Sequence, residues 1–266
     1  MFSRLSRLSR PRAVALYAVP FVALLATAGL APLPFSVAQP GMTANVLGAD
    51  KGTPVITISG APTRETSGQL RMTTIEATNP DTRITLPEVL DGWFRTDRAV
   101  MPRDSVYPSG DSVEEIQRHN TAQMEESQND ATEAALAYLK LDSDDVKVDL
   151  ELADVGGPSA GLLFSLGIVD KLDGDGVGGD LTGGRVIAGT GTIDAAGRVG
   201  AVGGVALKTQ AARRDGATVF LVPKAECSDA KGELPEGLRL VPVTTLRGTV
   251  AALKALASGK GSVPAC

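Results

Sequence analysis

The sequence predicts an α+β fold, and three observations carry that expectation. In 146–152 apolar residues fall at every second position (Val146, Val148, Leu150, Leu152), the period of a strand with one buried face. From Leu162 to Leu172 the chain is almost wholly apolar, dense enough for a fully buried helix. The other strand and helix patterns alternate without a regular βαβ repeat, which is the α+β arrangement.

Taken in order, Arg4, Arg7, Arg10 and Arg12 precede an uncharged run from Ala13 to about Ala38. A bilayer needs about 20 apolar residues, so residues 1–38 are expected to form a basic tail and an N-terminal transmembrane helix. Pro20, Gly29, Pro32 and Pro34 weaken its second half as helix. The arginines would stay in the cytoplasm and the rest would lie outside. A signal peptide cleaved near one of the small residues Ala26, Ala28, Ala31 or Ala38 is the competing reading. Residues 39–67 are rich in Gly, Pro, Thr and Ala and read as a linker, with one strand-like piece at Val55–Ile58.

Residues 68–145 are expected to pack on the domain that follows. Gly68–Thr78 reads as a strand, Asn79-Pro80-Asp81 as a turn, and Leu86–Phe94 as a short helix. Ser109–Ser112 is a break. Ser112 and Glu115 then form a capping box for a long polar helix to about Leu139, with Asn129-Asp130 a point of interruption. Residues 146–257 hold the strand and buried helix already described. They add a strand region at Arg185–Ile193 turning through Asp194–Gly197, a helix over 204–214, strands at 218–222 and 238–243, and a closing helix over 244–257. Residues 258–266 are tail.

The composition excludes several functions. The net charge of −5, with no basic stripe after the N-terminus, argues against nucleic acid. No Gly-x-x-x-x-Gly-Lys-Ser/Thr stretch is present, so no ATPase motor is expected in this chain. Cys227 and Cys266 lack metal-ligand spacing, and neither a metal nor a cofactor is expected. In an oxidising compartment they could pair; two free thiols are the alternative. The acidic glycine loop Asp173–Asp180 lacks the later calcium ligands and reads as a surface loop.

The chemistry centres on Gly157-Pro158-Ser159-Ala160-Gly161, between the strand and the buried helix. A hydroxyl at a helix N-terminus is close to free N–H groups and partial positive charge, which suit an oxyanion. The pentapeptide also satisfies G-x-S-x-G, the α/β-hydrolase nucleophile elbow. That fold needs a histidine after the serine, whereas the one histidine, His119, precedes it and sits among polar residues. A serine can instead be activated by a neutral lysine. In the 204–214 helix, Thr209, Gln210, Arg213 and Arg214 form the wet face and Lys208 falls on the other side with Val205, Ala211 and Ala212. Burial there would favour the neutral amine; a lysine reaching to water from the helix edge is the plain alternative.

From about Val146 to the C-terminus the sequence resembles the proteolytic domain of the Lon proteases, serine peptidases with a Ser–Lys dyad. The resemblance rests on Gly157–Gly161, on Asp180-Leu181-Thr182-Gly183-Gly184 and on Val202–Lys208. It implies Ser159 as nucleophile, Lys208 as general base and Thr182 as the threonine that orients the lysine. It also implies the Lon proteolytic fold, protein or peptide substrates, and ring-shaped homo-oligomers. Gly156 stands where many motor-linked Lon proteases carry an acid. The Gly-Gly-Pro-Ser-Ala-Gly form is that of small membrane-anchored bacterial Lon-like proteases, which usually carry a PDZ domain. Only 141–145 is available between the long helix and the Ser159 strand, so that domain is expected to be missing.

The resulting expectation is an ATP-independent serine endopeptidase, anchored through its N-terminal helix and working outside the cytoplasm. The alternative is a non-catalytic, membrane-tethered interaction domain that keeps the fold.

Overall fold

The computed structural model describes residues 10–107, 112–152 and 155–266. In chain order, α1 (Arg10–Leu30) leads into β1 (Phe35–Asn45), the short hairpin β2 (Ala49–Asp50) and β3 (Thr53–Pro54), β4 (Ile56–Ser59) and β5 (Gln69–Ala77). Then come α2 (Leu86–Phe94), β6 (Ala99–Pro102), α3 (Arg103–Val106), α4 (Val113–Leu139), β7 (Lys147–Leu150) and α5 (Gly161–Leu172). The rest is β8 (Val186–Gly189), β9 (Thr192–Ile193), β10 (Val199–Gly200), α6 (Val205–Arg214), β11 (Val219–Pro223), α7 (Cys227–Gly232), β12 (Arg239–Val243) and α8 (Leu246–Ser258). The mixed α+β class is as expected.

Six strands form one sheet in the order β12-β11-β8-β5-β1-β6. β12, β11, β8 and β5 run parallel, and β1 and β6 continue the sheet antiparallel. β11 shows why both faces must be covered. All five of its residues are buried, and they alternate: Val219 and Leu221 enter one apolar cluster, Phe220 and Val222 the other. The first cluster draws on α4, α5 and α8, the second on α6 and α7. In α5 every residue from Gly161 to Asp170 is buried.

Three expectations change. Residues 39–67 are not a linker. β1 occupies the sheet between β5 and β6, and β4 pairs with β7. Pro40 and Gly41 disguise β1 in the sequence. The strand absorbs them in a register shift between Pro40 and Thr43, and a Cβ on Gly41 would run into Thr74 Oγ1. Because β5 sits between β1 and β8, residues 68–145 and 146–257 share one sheet and are not separable units. The long helix runs unbroken through Asn129-Asp130.

The transmembrane helix is also not supported: among the described residues no helix is long and apolar enough to cross a membrane. Arg4 and Arg7 lie outside the described residues, as do Ser109–Asp111 of the expected break and Asp154 beside the serine motif. α1 does place Tyr17, Phe21, Leu24 and Leu25 on its exposed surface.

Candidate active site

Ser159 lies in the turn just before α5, partly exposed. Two residues of α4 hold that turn from behind. The Asn120 carbonyl accepts the Gly157 N–H at 3.0 Å, and Ser127 Oγ donates to the Pro158 carbonyl at 3.0 Å. Both glycines of the turn have a structural reason. Gly157 has φ +87°, and a Cβ on Gly156 would lie 2.7 Å from Asn120 Cβ.

Lys208 enters from α6, on the opposite face of the sheet. Its helix begins at Gly204, whose φ of +69° and close approach to Ile75 exclude a side chain. The residue is only 4% exposed. Burial pushes its pKa down to about 8, against a smaller upward pull from Glu226.

The two sides meet at the C-terminal end of β8, where Thr190-Gly191 passes between the layers. Lys208 Nζ donates to Thr190 Oγ1 at 3.1 Å. Thr190 Oγ1 donates to the Ser159 carbonyl at 3.3 Å, and the Gly191 N–H donates to the same carbonyl at 3.0 Å. Among the described residues, Ser159 and Lys208 are thus joined through Thr190, with no direct hydrogen bond between their side chains.

Thr182 is elsewhere, a correction to the expected role. Its Oγ1 donates to the Ser67 carbonyl at 2.7 Å and accepts from the Gly184 N–H. Asp180 accepts from both the N–H and the hydroxyl of Ser67 and pairs with Arg64 at 3.4 Å. The Asp180–Gly184 motif is a clamp on 64–68. Thr190, which does touch the lysine, went unread; its signal is Gly189-Thr190-Gly191 directly after a strand, a hydroxyl between two residues that let backbones close in.

Two carboxylates lie near these elements. Glu226 Oε1 accepts the Val202 N–H at 3.1 Å, holding the turn that starts α6, while its Oε2 is buried without a partner. Burial raises its pKa, with backbone hydrogen bonding and Lys208 opposing. Asp170, wholly buried on α5, accepts the Leu181 N–H at 2.8 Å and has Arg64 at 3.9 Å. Burial raises it to about 6. Cys227 and Cys266 are joined in a disulfide, so the tail is tied to α7 beside Glu226. His119 is exposed on α4.

A family model for the Lon protease (S16) C-terminal proteolytic domain matches residues 114–253, just over half of the chain and including α4. A Lon protease of Clostridioides difficile (strain 630) is 43% identical over 83 residues, 31% of this chain and 10% of that protein. A Lon protease of Chloroflexus aggregans is 28% identical over 144 residues, 47% of this chain and 17% of that protein. The chain therefore spans less than a fifth of the length of these relatives. With a match over more than half its length, the chain belongs to the Lon protease (S16) C-terminal proteolytic domain family, that of a serine peptidase.

Proposed function

We propose that this chain is an ATP-independent endopeptidase in which Ser159 is the nucleophile and Lys208 the general base. The observation that carries the reading is the Lys208–Thr190–Ser159 connection. The Thr190 hydroxyl proton points to the Ser159 carbonyl, so Thr190 accepts from the amine. That acceptance takes up a lysine N–H and leaves the neutral amine's lone pair free for the Ser159 proton. Burial supplies the neutral form near pH 8.

In the reaction Ser159 Oγ bonds to the scissile carbonyl carbon while its proton passes to Lys208 Nζ. The ammonium gives that proton to the departing amine as the C–N bond breaks. Water then attacks the acyl ester, Lys208 takes the water's proton, and the serine recovers its hydrogen as the ester C–O bond breaks. The oxyanion would sit against amides at the start of α5. The Gly157 and Leu162 N–H groups are already bound to the Asn120 and Gly191 carbonyls, which leaves those between them.

We place the catalytic part outside the cytoplasm. Support comes from the arginine-led uncharged run at the N-terminus, which fits an export signal, and from the disulfide, which persists in oxidising compartments. Fractionation with protease protection of the full chain tests this placement; release in the soluble cytoplasmic fraction would refute it.

The direct test of chemistry is casein or peptide cleavage by the full chain beside Ser159→Ala. Loss of cleavage with unchanged melting is expected; full activity in the variant would remove the proposal and favour a non-catalytic domain. His119→Ala is expected to keep its activity, which the hydrolase-elbow mechanism could not allow.

A further inference from the structure

Cys227 and Cys266 are the two cysteines of the chain, and their disulfide lies on the same side of the sheet as the lysine helix. Both are partly exposed, within reach of a thiol reagent. Cys227 opens α7, which packs on α6, β11 and β12. Val202, Cys227 and Cys266 pack against one apolar cluster, to which Val205 and Ala212 of α6 belong. The residue before Cys227 is Glu226, whose Oε1 accepts the Val202 N–H at 3.1 Å. Val202 and Gly203 lead into Gly204, the cap of the helix that carries Lys208. At the other end of the bond, residues 259–266 cross the edge of the sheet. Val263 packs against the cluster on one face and Cys266 against the cluster on the other. Between them, Arg239 of the edge strand β12 donates through Nη2 to the Val263 carbonyl at 3.5 Å.

On the reading of Lys208 as general base, we propose that the Cys227–Cys266 bond is an activating redox lock. Formed, it holds the start of α7 so that Glu226 keeps the turn before α6 in place. Reduced, it frees that turn and lowers the rate. The path is short: the disulfide, the adjoining Glu226, the Val202 N–H, and the helix of the base. A carboxylate that moves away takes a charge-assisted hydrogen bond from the turn. A base displaced by a fraction of an ångström then misses the serine proton. Across the β12 edge the strap is held by the Val263 contact, the long Arg239 bond and the covalent link at Cys266, so reduction removes the strongest of these ties. The chemistry is thiol–disulfide exchange. The Sγ–Sγ bond forms while the two electrons and two protons of the thiols pass to the disulfide of an oxidising donor, which leaves as a dithiol. In a reducing cytoplasm both thiols would be free and cleavage slow, and entry into an oxidising compartment would switch the chain on. Glu226 is in this account a positioning residue, and the lock confines proteolysis to the compartment proposed above.

The experiment compares the oxidised full chain with the chain reduced by dithiothreitol, cleaving one internally quenched peptide, with folding followed by circular dichroism. With two cysteines in the sequence, the reductant has one bond to act on. Reduction is expected to lower kcat about tenfold with little change in KM, and reoxidation to restore it. The combined Cys227→Ser and Cys266→Ser variant should show the low kcat with or without reductant. Glu226→Ala should already be slow, and its reduction should add little, because both changes break the same connection. A folded, reduced chain that keeps the oxidised kcat would overturn the lock. So would a reductant effect that persists in the serine variant, or a reduced chain that is unfolded at the assay temperature, which would assign the bond to folding. An equal fall in wild type and Glu226→Ala would overturn the route through Glu226. Cleavage that survives Ser159→Ala would instead overturn the catalytic reading on which the proposal rests.

Discussion

Lys208 and Thr190 lie 18 residues apart in the chain and on different elements, yet the lysine amine donates to the threonine hydroxyl at 3.1 Å inside the protein. Thr190 in turn reaches the Ser159 carbonyl. One hydroxyl thus contacts both the amine and the turn that carries Ser159. Thr190→Val keeps the shape and removes the hydroxyl. It is expected to lower kcat about 100-fold and, because it leaves the buried Lys208 amine without this partner, to cost about 1–2 kcal/mol of stability. Thr182→Val loses the Ser67 and Gly184 contacts at a similar cost of about 1–2 kcal/mol but leaves the rate of the folded fraction nearly unchanged. Denaturant melts and single-substrate kinetics on both variants check the pair.

The lysine predicts opposite effects of pH on rate and of substitution on stability. A base must be neutral, so kcat/KM is expected to rise with pH through about 8. Because the folded-state pKa lies below the ordinary value, the unfolded chain binds more protons between about 8 and 10.5. Stability therefore rises with pH across that window, and the burial penalty is fully present below it. Lys208→Met should be inactive and about 3 kcal/mol more stable than the wild type at pH 7. That advantage should vanish near pH 11. Urea titrations across this range measure it.

Glu226 gives a smaller effect of defined sign. Its carboxylate favours the lysine ammonium, so Glu226→Gln, which keeps an oxygen for the Val202 N–H, should move the rising limb of kcat/KM to lower pH. Glu226→Ala also loses the hydrogen bond that holds the start of α6, and should lower the plateau rate as well. A pH–rate profile that does not move in the glutamine variant would show that the charge has no influence.

Asp170 has the unusual sign for a carboxylate. Its pKa is raised to about 6 from 3.8, so the folded state holds the proton more tightly between these values. Its contribution to stability falls as pH rises through that window. Asp170→Asn keeps an acceptor for the Leu181 N–H. Relative to the wild type it should be more favourable at pH 8 than at pH 4 by about 2 kcal/mol. Chemical denaturation of both proteins at the two pH values decides it.

The disulfide closes a separation of 39 residues. By loop-closure entropy, replacing both cysteines with serine should cost up to roughly 4 kcal/mol. A loss near zero would show that the closing segment is already ordered without the bond.

Much of this protein is legible along the chain. Leu162–Leu172 announces a buried helix because apolar side chains on all sides leave no face for water, and α5 is that helix. Ser112 and Glu115 mark the start of α4, where the Ser112 hydroxyl accepts the Glu115 N–H. Helical spacing places Lys208 opposite Arg213 and Arg214, and it is buried; the same spacing put Thr209 on the wet face, yet Thr209 is buried too, so spacing alone did not decide between a buried lysine and one reaching to water. The first two are local facts, set by side-chain period and by which backbone groups a nearby side chain can satisfy. What sits beside Lys208 is not local. Thr182 and Thr190 are both hydroxyls next to glycine, and the second glycine before Thr190 does not by itself say which of the two meets the lysine. Only the sheet order, with β8 between β5 and β11, brings Thr190 to the seam between the two helical layers and leaves Thr182 clamping 64–68. β1 was hidden for the same reason: Pro40 and Gly41 read as a break until a neighbouring strand supplies the irregular register that accommodates them. Pairing partners come from distant parts of the chain, so their choice belongs to the tertiary structure.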